Sequence, residues 1–111
     1  MLGTYPVGEG PVDLAFDNTN MWVTDLAAHE VTELSPDGMT LGTYAMGTRA
    51  DGIAFDGANM WVALAGNSVT ELSPSGAALG AWTVGTQPWA IAFDGASMWV
   101  VNRVSNTVTK L

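Results

Sequence analysis

Gly52-Ile53-Ala54-Phe55-Asp56-Gly57-Ala58-Asn59-Met60-Trp61-Val62 reads as a strand, a tight turn and a second strand. Large Ile53 and Phe55 alternate with small Gly52 and Ala54, as on a strand whose two faces meet different neighbours. In the turn Asp56-Gly57-Ala58-Asn59, Asp and Asn side chains bond to nearby backbone and Gly takes positive φ. Met60-Trp61-Val62-Ala63 is apolar throughout, so both faces of that strand are expected to be covered. The same pattern recurs as Ala15-Phe16-Asp17 with Asn20-Met21-Trp22-Val23, and as Ala92-Phe93-Asp94 with Ser97-Met98-Trp99-Val100.

Two more strands complete each copy. Val69-Thr70-Glu71-Leu72 leads into Ser73-Pro74-Ser75-Gly76, where Pro suits the second and Gly the fourth position of a type I turn, and Leu79 to Val84 follows. The counterparts are Val31-Thr32-Glu33-Leu34, Ser35-Pro36-Asp37-Gly38 and Leu41-Gly42-Thr43-Tyr44, with Val108-Thr109-Lys110-Leu111 closing the third copy. Leu2, Leu41 and Leu79 open equivalent segments 39 and 38 residues apart. Four short strands per period of about 40 residues predict an all-β chain of β-propeller blades, three four-stranded blades over residues 1–111. The blades are centred on residues 12–45, 51–84 and 89–111. Ala15, Ala54 and Ala92 suit the crowded axis, and Trp22, Trp61 and Trp99 suit the widening gap between blades. Frequent Gly, Thr, Val and Trp disfavour helix.

The phase of the repeat carries a second expectation. The chain opens with an outer strand, Leu2 to Val7, and closes on a third strand, Thr107 to Leu111. Three blades are too few to close a ring. Leu2, Thr4 and Tyr5 are therefore expected to latch onto Thr107, Val108, Thr109 and Leu111 of another copy. A homodimer then gives a closed six-bladed ring with twofold symmetry, and a homotrimer gives nine blades, beyond the usual size.

The motifs Leu-Ser-Pro-Asp/Ser-Gly, Leu-Gly-Thr-Tyr, Gly-Ile-Ala-Phe-Asp-Gly, Asn-Met-Trp-Val and Asn-Thr-Val-Thr-Lys-Leu resemble bacterial propeller repeats of the NHL and YVTN (YncE-like) group. They are also similar to repeats of virginiamycin B lyase. The resemblance covers nearly the whole chain and rests on residues that build blades. It implies rings of about six or seven blades, of which this chain is a half-ring or a piece.

Composition narrows the partners. Net charge is −8, with Arg49, Arg103 and Lys110 as the cations. Such a surface repels phosphate backbones and anionic lipid, so neither nucleic acid nor membrane is expected as a partner. There is no apolar run long enough for a membrane helix. The first residues enter a repeat strand with no basic n-region or apolar h-region, so no signal peptide is expected among them. Cysteine is absent and leaves the compartment open.

Positions that differ between copies are those the scaffold does not dictate. They precede the first strand (Pro11-Val12-Asp13, Ala50-Asp51-Gly52, Pro88-Trp89-Ala90) and follow the second (Thr24-Asp25-Leu26, Ala63-Leu64-Ala65, Val101-Asn102-Arg103). Up-and-down connectivity puts both sets at one end, around the channel mouth. Asp13, Asp25, Arg49, Asp51, Trp89 and Arg103 are the candidate ligand-binding residues there. Asp17, Asp56 and Asp94 do not fit a calcium-loop pattern and read as turn caps. His29 reads as a solvated loop residue. No catalytic residue, metal or cofactor is expected: there is a single histidine, no cysteine and no G-x-S-x-G motif. The expected role is a non-enzymatic, self-assembling scaffold or binding module. The alternative is a metal-assisted lyase or lactonase-like enzyme working at the mouth.

Overall fold

The computed structural model describes all 111 residues and contains strands and turns without helix. Eleven strands form three antiparallel sheets. β1 (Pro11–Phe16), β2 (Met21–Asp25), β3 (Glu30–Leu34) and β4 (Thr40–Ala45) make the first. β5 (Ala50–Phe55), β6 (Met60–Leu64), β7 (Ser68–Leu72) and β8 (Ala78–Thr83) make the second. β9 (Pro88–Phe93), β10 (Met98–Asn102) and β11 (Thr107–Lys110) make a three-stranded third. Within each sheet the strands lie in chain order, as short hairpins require.

The inner strands β1, β5 and β9 lie side by side and converge on one edge. A Cβ on Gly52 would collide with the Trp89 carbonyl, so only glycine lets β5 approach β9 so closely there. Farther out, Trp22 fills the space between the first two sheets, in line with the size gradient of the repeat.

Register assigns each residue a face. Ala15 opposes Trp22 and Leu14 opposes Val23, so Trp22 points toward the second blade while Leu14, Phe16 and Met21 point away from it. Trp22, Val31, Ile53, Met60 and Val62 form the core between the first two blades. The same types on the outer flanks are bare: Leu14 is 56% exposed where its repeat-mate Ile53 is 3% exposed.

The Asp turns do more than cap. Asp17 Oδ1 accepts the backbone N–H groups of Thr19 (2.9 Å) and Asn20 (2.6 Å), and Oδ2 accepts the Trp22 indole N–H (2.8 Å). Asp56 holds Trp61 and Asp94 holds Trp99 in the same way. The repeated Asp-to-Trp spacing of five residues was the signal for this clamp. With no burial of note, those donors bring the Asp94 carboxyl down to about 2. Burial pushes Asp17 and Asp56 up, but their backbone and indole donors outweigh it and leave both lowered.

Residues 2–7 pair with no strand inside the chain, and the nearest incomplete sheet edge, β11, belongs to the far blade. Their local shape is nonetheless that of β4. The Tyr5 hydroxyl folds back over Gly3 as the Tyr44 hydroxyl does over Gly42, and the Tyr5 ring covers Gly38 as the Tyr44 ring covers Gly76.

Candidate functional site

The connections before the first and after the second strand of each blade meet at one end, as up-and-down connectivity predicts. Leu26 N–H donates to the Gly10 carbonyl, Ala65 N–H to Arg49 and Arg103 N–H to Gln87. Cross-strand backbone bonds therefore hold these loops in place.

Four of the six candidates come together at the seam between the second and third blades. The Arg103 guanidinium lies 4.6 Å and that of Arg49 5.5 Å from the centroid of the Trp89 ring. Both distances are within cation–π range. Arg49 Nε also sits 3.3 Å from Asp51 Oδ1. Asp51 is fully buried, and its Oδ1 has no hydrogen bond. Burial raises the Asp51 carboxyl above its usual range, against the pull of Arg49 and Arg103.

Asp13 and Asp25 are not part of this cluster. Asp13 Oδ1 accepts its neighbour's N–H at Leu14 (2.9 Å), and Oδ2 reaches across the seam to Ile53 N–H (3.1 Å). That carboxylate ties the first blade to the second. The Thr24 hydroxyl adds a buried bond to the Asp51 carbonyl (2.6 Å), a contact no sequence pattern announced. Asp25 lies on the outward face of the first blade and accepts the Thr32 hydroxyl (2.5 Å). Its burial raises its carboxyl, with Thr32 and the Gly8 backbone pulling the other way. Adjacent strand residues point to opposite faces, so Asp25 turns away from the seam that Thr24 enters. His29 is exposed, at a loop position with φ of 58°. No three His, Cys, Asp or Glu side chains gather where a metal ion would fit.

Of the latch residues of the third blade, Thr107 and Val108 are exposed, and Thr109 and Leu111 are half-buried. Val108 is 59% exposed, whereas its counterparts Val31 and Val69 are fully buried. Thr107 and Thr109 hydroxyls accept the Asn102 amide at 3.1 and 2.8 Å, and Leu111 N–H donates to the Met98 carbonyl.

No family model matches the chain, and no curated protein is significantly similar to it in sequence. Solved structures resemble it in fold. Virginiamycin B lyase from Staphylococcus aureus superposes with a TM-score of 0.73 at 16% identity, covering 91% of this chain and 40% of that one. The fold is a β-propeller, present in part. BamB from Moraxella catarrhalis gives 0.76 at 14% identity over 87% of this chain and 30% of the other. A functionally unknown protein from Desulfotomaculum acetoxidans gives 0.70 at 23% over 96% and 42%. At these identities the likeness is one of fold. The chain spans less than half the length of each of these structures.

Proposed function

We propose that the chain is a self-assembling propeller scaffold or binding module of the NHL/YVTN type, a half-ring closed by a second copy. Residues 2–7 of each copy supply the fourth strand of the third blade in the other. The observation that carries this is the matched surplus and deficit. The third blade has three strands, while the segment around Tyr5 has the sequence and local shape of an outer strand but no sheet neighbours. Both flanks expose apolar residues that the middle blade buries, and such faces associate. Six blades in twofold symmetry cover both.

The binding role falls to the Arg49–Trp89–Arg103 cluster. Arg103 has no carboxylate partner and Arg49 contacts Asp51 through Nε, so free guanidinium edges suit a small anionic ligand. Catalysis is not assigned to it.

Light scattering after size exclusion tests the assembly. The expected mass is about 23 kDa, twice the 11.6 kDa of one chain. A stable monomer at micromolar concentration overturns the reading, and a trimer moves it to nine blades. Metal-dependent lactone hydrolysis that is lost in Asp51→Ala would overturn the non-catalytic assignment.

A further inference from the structure

The joint between the first two blades shows what a filled joint contains. Trp22, fixed by Asp17, forms one wall of a small cavity of about 210 Å³ whose other wall includes Phe55, Met60 and Pro74. Tyr44 stacks on Trp22 and its ring covers Gly76 of the second blade. One tryptophan and one outer-strand aromatic thus close the joint.

On the outward flank of the first blade the same wall recurs without its tryptophan. Phe16, Met21 and Pro36, the counterparts of Phe55, Met60 and Pro74, line an open apolar cavity of about 590 Å³ together with Leu34 and Tyr5. Tyr5 already lies on Gly38 there, as Tyr44 lies on Gly76. At the opposite end of the molecule Trp99 is 40% exposed, although Trp22 is fully buried. Trp99 keeps the indole-to-Asp94 bond at 2.7 Å, so it is held in the orientation that seats Trp22. No aromatic stacks on it; Lys110 lies over its ring at 5.3 Å.

We infer that Trp99 of one copy enters the Phe16–Met21–Leu34–Pro36 cavity of a second copy, and that Tyr5 of that second copy covers it. The inference rests on the ring-closure reading and adds the side chains that make the joint specific. Apolar complementarity supports it: the seat is empty, the tryptophan is bare, and both copy a joint that is filled inside the chain. A buried tryptophan in a fitted pocket is the usual form of an interface hot spot. Each twofold ring contains two such joints.

Analytical ultracentrifugation of the full chain, wild type and Trp99→Ala, tests this. Loss of a hot spot weakens a joint by about 30-fold, so the two joints together are expected to raise the dimer dissociation constant on the order of 1,000-fold. Circular dichroism should show the strand content unchanged. Met21→Arg attacks the seat instead and should give the same loss; it also decides the matter if Trp99→Ala fails to fold. A wild-type monomer overturns ring closure and the seat together. A wild-type dimer that either folded variant leaves within about threefold of its affinity overturns the seat alone and leaves ring closure standing.

Discussion

Trp22 and Tyr44 stack with ring centroids 5.5 Å apart and 24° between their planes. Trp61 and Trp82 repeat the pair at 4.8 Å in the second blade. In the first two blades the tryptophan of the second strand is covered by an aromatic two strands farther out, so the gap beside each is closed from the rim. Offset aromatic pairs of this kind add to the stabilisation from burial alone.

Trp22 is the buried member of the repeat. Trp22→Ala is expected to cost about 3–5 kcal/mol in denaturant titration, the range for truncating a buried aromatic. Half-buried Trp61 should cost less, and Trp99 least while the chain is monomeric. Equal losses at all three would mean that blade position does not set burial.

Trp89, near the start of β9, is flanked by Arg49 and Arg103. Trp89→Ala is expected to change stability by less than about 1.5 kcal/mol. The informative readout is a fluorescence titration with inorganic phosphate or citrate. Binding by the wild type that disappears in both Trp89→Ala and Arg103→Ala would support the anion contact; binding untouched by either would remove it.

The latch should be separable from folding. Residues 1–6 are exposed, so deleting residues 1–7 is expected to abolish the dimer without unfolding the blades. Unchanged oligomeric mass and melting temperature would place the joint elsewhere.

Acid should act on two groups of carboxylates in opposite senses. Asp17, Asp56 and Asp94 are lowered from 3.8. Their stabilisation is present above pH 3.8 and is lost as pH falls through their folded values, near pH 2 for Asp94. Asp25 and Asp51 are raised from 3.8, so their contribution is full below that pH and is lost as pH rises through the folded values. Carboxyl NMR titration should resolve the two groups. The stability cost of Asp51→Asn should therefore shrink from acid to neutral pH, and a cost that grows instead would mean that Arg49 dominates burial.

The sequence alone determined the local order: which residues form strands, and where Asp and Pro-Gly turns fall. These are short-range properties, because alternation and turn chemistry act within a few residues and the copies repeat them. Tertiary structure decided what became of equivalent residues. Trp22 and Trp99 share the same neighbours in sequence and the same aspartate bond, yet only Trp22 has a following blade to cover it. The site divided in the same way. Arg49, Asp51, Trp89 and Arg103 could be picked out by their variation between copies, but their meeting depends on how the second blade lies against the third. Asp13 and Asp25 bore the same variable signature, and strand register sent one to a neighbour's backbone and the other to the opposite face. Burial and contact between blades depend on which sheet stands next to which, and a repeating sequence writes the same local instructions whether or not that neighbour is there.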